Sequence, residues 1–177
     1  EASGDAAIAS SAVILVAEDR VADIPGKPVW ILGSGESTSH ISMGQWADFT
    51  TGPAAAAGAM AFERAGLTPA DVDVCELYDA FTYMLLITLE DLGFCGKGEA
   101  GAFVEDGRLG PGGAQPTNTN GGGLAYTHPG MYGMFLLVEA VRDRERLLEI
   151  LGAPHASILE QRGRNRVEQL VGAAQEI

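Results

Sequence analysis

Residues 118–133 read NTNGGGLAYTHPGMYG, and forty residues upstream stands Glu76-Leu77-Tyr78-Asp79-Ala80-Phe81. Asn118 to Gly123 is a run of turn formers, and its three glycines let the backbone approach a ligand that any Cβ would repel. Tyr126-Thr127-His128-Pro129-Gly130 then leads into a helix. A residue before proline is held extended, so His128, flanked by glycines, is expected near a pocket. The upstream hexapeptide reads as the end of a strand meeting the start of a helix. Such junctions aim backbone N–H groups and the positive helix end into a crevice, where a carbonyl or developing oxyanion is welcome. Asp79 is expected as a helix cap, and Asn118 and Asn120 as turn residues.

Working outward, Val72 to Leu77 reads as the strand, with Val72, Val74 and Glu76 on one side and Asp73, Cys75 and Leu77 on the other. The helix after it is expected over Asp79 to Leu92, stopped by Gly93. An earlier helix is expected from Pro53 to Ala65, with proline in its first turn, alanines inside and Gly66 past its end. Residues 13–16 and 28–33 carry β-branched apolar runs and read as strands. Residues 36–51 show little period and read as a surface loop. Residues 96–116 are a long Gly- and Pro-rich loop with a possible short strand at Ala102-Phe103-Val104. A third helix is expected over Met131 to Arg144, carrying Phe135, Leu136, Val138 and Val141. Leu147 to Ile177 reads as polar amphipathic helix with Arg162, Arg164 and Arg166 clustered. Strands alternating with helices make an α/β protein.

Composition narrows the function. The chain has 177 residues, 46% hydrophobic, with 24 glycines and a formal charge of −13. Phosphate backbones require clustered Lys and Arg, so no nucleic acid is expected as a partner. The longest mainly apolar run, Ala80 to Leu89, is too short to cross a bilayer, so no membrane is expected either. Cys75 and Cys95 stand in no metal-like spacing. They read as small buried hydrophobes in a reducing, cytoplasmic compartment. The start has neither an initiator Met nor a basic region, which suggests no signal peptide and a processed or cut chain.

The order ELYDAFT … NTNGGGLAYTHPGMYG resembles the thiolase superfamily, in the branch of sterol-carrier-protein thiolases and lipid-transfer proteins. Thiolases end a strand at Asn-Glu-Ala-Phe, and the related branch has His-Asp-x-Phe; Tyr78-Asp79-Ala80-Phe81 occupies that place. The family's Gly-Gly loop and Gly-His-Pro motif are matched by Gly121-Gly122-Gly123 and Thr127-His128-Pro129. DAAIASSAVILVAEDRVAD resembles the segment closing the first thiolase half. The resemblance covers roughly residues 5–144. It implies a thiolase-like α/β fold, a mixed sheet with helices on its faces, mainly the carboxy-terminal half. Residues 1–27 would end the amino-terminal half, 28–144 would form the carboxy-terminal domain, and 145–177 a polar helical tail.

The departures from the family shape the expected activity. The half that carries the thiolase nucleophile is missing, and no cysteine follows Cys95 to serve as the second, acid-base thiol. Tyr78 replaces the Asn or His that helps hold the oxyanion-site water. The match is close to the thiolase-like aldolases of bacterial steroid side-chain degradation. That likeness implies retro-aldol cleavage of a β-hydroxyacyl-CoA, a 17-hydroxy steroid acyl-CoA giving a 17-ketosteroid and propionyl-CoA. Tyr126 and Tyr78 are then the acid-base candidates, with His128 and backbone N–H groups on the enolate oxygen. Tyr132 is a third tyrosine, placed with Gly121, Gly122 and Gly123 against the substrate. Coenzyme A enters as part of the substrate; no other cofactor and no metal is implied. The resemblance also implies an OB-fold partner protein and a homodimer within a hetero-oligomer. Two other readings compete: an acyl-CoA acyltransferase whose nucleophile lies on a missing segment, and a non-catalytic lipid-binding subunit.

Overall fold

A computed structural model describes residues 11–25, 28–126 and 132–150. Its α-helices are α1 (Ala54–Ala65), α2 (Thr82–Asp91), α3 (Ala100–Phe103), α4 (Gly122–Ala125) and α5 (Gly133–Ile150). α1 begins after Pro53 and ends at Gly66, whose φ of 67° is a left-handed cap. The Leu67 N–H returns to the Phe62 carbonyl at 3.1 Å, closing the helix end as glycine caps do. α2 starts at Thr82, three residues later than the sequence suggests, because Tyr78 to Phe81 continue extended and Phe81 stands at its N-cap. α5 runs on past Arg144 to Ile150; Met131 lies outside the described residues, as does the expected tail helix beyond 150.

Of the expected thiolase-like α/β fold, the described residues show the helical part. Among the described residues no strand is long enough to name. The sequence reading at Val72 to Leu77 survives as an extended segment with one parallel bridge, Cys75 to Thr117. The Cys75 N–H donates to the Pro116 carbonyl at 2.9 Å, and the Asn118 N–H to the Cys75 carbonyl at 2.8 Å. Cys75, Glu76 and Leu77 are all buried, so this segment is covered on both faces, as central parallel strands are. Ala102 to Val104, expected as a strand, instead ends the short helix α3 and its cap. Residues 11–17 and 28–33 form no named strand either. Val13 to Val16 are exposed, Ile14 at 85%, and β-branched residues hold a strand only when a neighbouring strand and a covering face are present.

The hydrophobic core gathers Phe62 of α1, Leu89 and Leu92 around α2, and Val72, Cys75 and Leu77 of the bridged segment. Leu85, Phe94, Phe103 and Leu109 pack against it. Each large aliphatic side chain so buried contributes roughly 1.5–3 kcal/mol. Leu92 also lies over Gly58, in the space a Cβ would need.

Segment 33–35 is laid directly on α1. A Cβ on Gly33 would overlap the Ala61 carbonyl oxygen, and one on Gly35 the Ala57 carbonyl oxygen. Two residues of extended chain advance about 6.6 Å and four residues of helix about 6 Å, so the alternate glycines meet helix positions four apart. Arg64 fastens the join, its guanidinium donating to the Ser34 carbonyl at 2.6 Å.

The expected loop 36–51 is a folded strap. His40 and Trp46 stack at 5.2 Å and Trp46 meets Phe49 at 5.0 Å. The Trp46 indole donates to the Thr51 carbonyl at 2.9 Å. Tyr83 of α2 donates its hydroxyl to the Phe49 carbonyl at 2.9 Å, and the Gly52 N–H donates to Asp91 at 2.7 Å. Lys97 closes the far end, paired with Asp91 and donating to the Thr50 carbonyl.

Candidate active site

The end of the bridged segment and the glycine loop are laced together by buried and half-buried side chains. Asn118, at the unusual φ of 50°, accepts the Leu77 N–H on Oδ1 at 2.7 Å. The Thr119 N–H donates to Glu76 at 2.9 Å, and the Thr119 hydroxyl oxygen lies 3.1 Å from the same carboxylate oxygen. Asp79 accepts the N–H of Gly123 at 2.6 Å and of Leu124 at 3.4 Å. Asn120 accepts the Gly122 N–H at 2.8 Å, and the Gly121 N–H returns to the Asn118 carbonyl. Asn118, Thr119 and Asn120 thus do more than make a turn: each side chain holds a different neighbour.

This lacing changes two sequence expectations. Asp79 does not cap the helix that follows it in sequence; α2 has no side-chain cap, and Asp79 caps α4 instead. The N–H groups of Gly121, Gly122 and Gly123, whose backbone was expected close to a ligand, all donate inside the protein. What these glycines offer is room. Gly122 has φ +70°, and a Cβ on it would overlap the Asp79 carboxylate, so no other residue fits.

α5 closes the back of the loop. Thr119 donates its hydroxyl to Asp143 at 2.6 Å and approaches Glu139 at 3.5 Å. Glu76, Glu139 and Asp143 are all buried, and Arg142 reaches Glu139 at 3.5 Å. Burial pushes the Glu76 carboxyl up to about 8 and the Asp143 charge adds to that, while the Thr119 donors pull the other way. Like charges this close cannot all ionise together cheaply, so the cluster favours the protonated form of Glu76. Among the described residues no group of His, Cys, Asp or Glu is arranged to hold a metal ion.

The three candidate tyrosines separate clearly. Tyr126 follows α4, its N–H donating to the Gly122 carbonyl at 2.9 Å, and stands 58% exposed. Tyr78 is half-buried, its ring edge-on to Tyr132 at 5.5 Å. Tyr132 is fully buried: it stacks on Phe135 and donates its hydroxyl to Asn120 at 3.3 Å. Burial drives the Tyr132 hydroxyl above the ordinary tyrosine range, which disfavours the phenolate. The sequence placed Tyr132 against substrate; here it backs the Tyr78 ring. His128 lies outside the described residues. Phe81, the last residue of the quoted motif, and Leu124, next to Gly123, are both exposed. Neither cysteine is tuned for attack: burial pushes the Cys75 thiol up to about 12 and raises Cys95 as well, the opposite of thiolate activation.

A half-open hollow of about 410 Å³ lies elsewhere, between the strap and α2, touching Thr50, Tyr83, Ile87 and Lys97. None of the candidate site residues lines it. No helix among the described residues is long and apolar enough to cross a membrane.

The class of protein follows from this junction. Residues 35–147 match the family model described as thiolase C-terminal domain-like, and the chain belongs to that family. A steroid side-chain-cleaving aldolase of Thermomonospora curvata is 38% identical over 138 residues, covering 74% of this chain and 34% of the aldolase. The 17-hydroxy-3-oxo-4-pregnene-20-carboxyl-CoA lyase of Mycobacterium tuberculosis is 51% identical over 88 residues, covering 49% of this chain and 22% of the lyase. The solved structure of an Ltp2-ChsH2(DUF35) aldolase superposes with a TM-score of 0.64 at 35% identity, covering 71% of this chain and 34% of its own. The chain therefore spans about a third of the aldolase's length or less.

Proposed function

We propose that this chain is the carboxy-terminal part of a thiolase-fold lyase that cleaves a β-hydroxyacyl-CoA by a retro-aldol reaction. The substrate in this reading is a 17-hydroxy steroid acyl-CoA, and the products are a 17-ketosteroid and propionyl-CoA. The observation that carries it is the lacing of residues 76–79 to 118–124, which ties the tyrosine-bearing segments 78 and 126 into one unit.

The reaction needs a base, an enolate site and no covalent intermediate. A tyrosine takes the proton of the β-hydroxyl as its oxygen becomes the ketone. The bond between the α and β carbons breaks, and its electron pair passes into the thioester as an enolate. A proton delivered to the α carbon then gives propionyl-CoA. Tyr126 and Tyr78 fill the acid-base roles, and His128 steadies the enolate oxygen, a contribution of about 3–4 kcal/mol for one good donor. The N–H groups of Gly122 and Gly123 are engaged within the protein, so the enolate takes its donors from elsewhere. Gly121, Gly122 and Gly123 bring the backbone close to substrate, and the exposed rings and chains of Phe81, Leu124 and Tyr126 give an apolar steroid body a surface to meet. Both described thiols are shifted away from the thiolate, which favours this chemistry over acyl transfer from a cysteine on these segments.

The full-length protein would act as a homodimer together with an OB-fold partner of the kind implied by its relatives. The test is mass spectrometry of the reaction with the 17-hydroxy steroid acyl-CoA, using the full-length protein co-expressed with that partner. Propionyl-CoA and 17-ketosteroid should appear together and fall by about 10²–10⁴-fold in Tyr126→Phe, the range for loss of an acid-base group. Undiminished cleavage in that variant removes Tyr126 from the mechanism. Acyl-CoA binding with no turnover at all returns the protein to a lipid-binding role.

A further inference from the structure

We propose that Asp79 is a positioning residue that sets Tyr126 relative to Tyr78, a role that rests on the lyase reading above. Asp79 is buried and follows Tyr78 directly in the chain. Its carboxylate takes the Gly123 N–H at 2.6 Å and the Leu124 N–H at 3.4 Å, and Gly122 presses on its other oxygen, leaving no room for a Cβ. The single turn of α4 then carries this anchor forward: Tyr126 donates its N–H to the Gly122 carbonyl at 2.9 Å. Four helical residues rise about 6 Å, so one carboxylate fixes the start of a turn that ends at Tyr126. Tyr78 is fixed at the same time, its backbone joined to Asp79 and its ring braced on Tyr132. Asp79 leaves its own helix uncapped, which frees both oxygens for this clamp.

The geometry makes Asp79 the shared origin from which both tyrosines are placed. A misplacement of about 1 Å in a reacting pair costs on the order of 10²-fold in rate. Asp79→Ala in the full-length protein with its partner should therefore lower kcat by about 100-fold and leave KM within about threefold, the pattern of a group that acts in the transition state. Asp79→Asn keeps one acceptor oxygen for Gly123 and loses the other, so it should recover about tenfold of that loss. Hydrogen exchange followed by mass spectrometry gives a readout independent of turnover: the peptide over 121–126 should exchange faster in Asp79→Ala and to a lesser degree in Asp79→Asn.

Asp79→Ala with kcat within about twofold of the parent overturns the inference, as does Asp79→Asn no better than Asp79→Ala. If the parent itself cleaves no β-hydroxyacyl-CoA, the lyase reading falls and exchange decides the clamp alone. Faster exchange over 121–126 then sustains it, and unchanged exchange removes it. Should Asp79→Ala fail to fold, the same two measurements on Asp79→Asn carry the decision.

Discussion

Two glycine-bearing segments of this chain hold their places by opposite means. Gly33 and Gly35 lie against α1, where the missing Cβ atoms let backbone touch backbone. Gly121 to Gly123 lie against the end of the bridged segment, where Asp79 and Asn120 accept the N–H groups of Gly123 and Gly122, Glu76 that of Thr119, and Asn118 that of Leu77 across the join. The first join is backbone against backbone, fastened by the single Arg64 bond to the Ser34 carbonyl. The second is polar, buried and tied to α5. A family can keep a scaffold with the first kind of join, but directed chemistry needs the second, because hydrogen bonds fix orientation as well as distance.

The largest expected effect comes from the steric join. Gly35→Ala drives a Cβ into the Ala57 carbonyl, a backbone atom that cannot turn aside, and should destabilise the protein by about 3 kcal/mol or more. The urea midpoint, at unchanged slope, reads this directly; a loss below about 1 kcal/mol would mean that segment 33–35 is not seated on α1. Next is Gly122→Ala, which combines a left-handed backbone with displacement of Asp79 and should cost about 2–3 kcal/mol. It should also abolish turnover, where Gly35→Ala should leave the activity of the surviving folded fraction intact. Equal activity losses in the two variants would erase the contrast between the joins.

Asn118→Gly is gentler. Glycine accepts the φ of 50° that Asn118 adopts, so the change isolates the hydrogen bond to the Leu77 N–H. It should cost about 1–2 kcal/mol, the loss expected when a buried donor is left unpaired. Asn118→Ala should be worse, since it adds backbone strain; the reverse order would show that the side chain matters less than the conformation.

The smallest effect is a change of slope with pH. Glu76 binds a proton more tightly folded than unfolded, its folded value standing near 8 against an ordinary 4.5. Between those values the folded state holds more protons, so stability is full below about pH 4.5 and falls as pH rises through 8. Urea midpoints at pH 6 and pH 9 should differ in that direction. Glu76→Gln, which keeps the acceptor for Thr119 and cannot ionise, should flatten the difference; an equal slope in that variant would place the proton elsewhere.

Much of this was legible in the sequence, and what was not has physical reasons. Pro53, the alanines and Gly66 marked α1 to within a residue, because local caps and propensity decide a helix of that kind. The junction ELYDAF and the loop NTNGGG were visible as partners of a site, since their residue types have few other uses together. The sheet was not recovered. Val13 to Val16 and Val29 to Leu32 have strand composition, but strand pairing is a long-range property that composition does not carry. Asp79 was read as the cap of its own helix because nearby sequence is the natural first guess, yet its partners are 44 and 45 residues away. Tyr132 looked like the other tyrosines, and only burial distinguishes it. The strap formed by residues 36–51 showed little period, since what orders it is a set of single contacts to α2 and Lys97.

The overlap of Gly122 with Asp79 has a consequence for descent as well as for shape. The two positions occupy one volume, shared between a hydrogen atom on one side and a carboxylate on the other. A lineage can enlarge position 122 only after position 79 has shrunk, and a shorter side chain at 79 gives up the hold on Gly123. Even then a side chain at 122 has to accept a left-handed backbone. Across descendants of this chain, the pair should behave as a single inherited character, kept together or exchanged together.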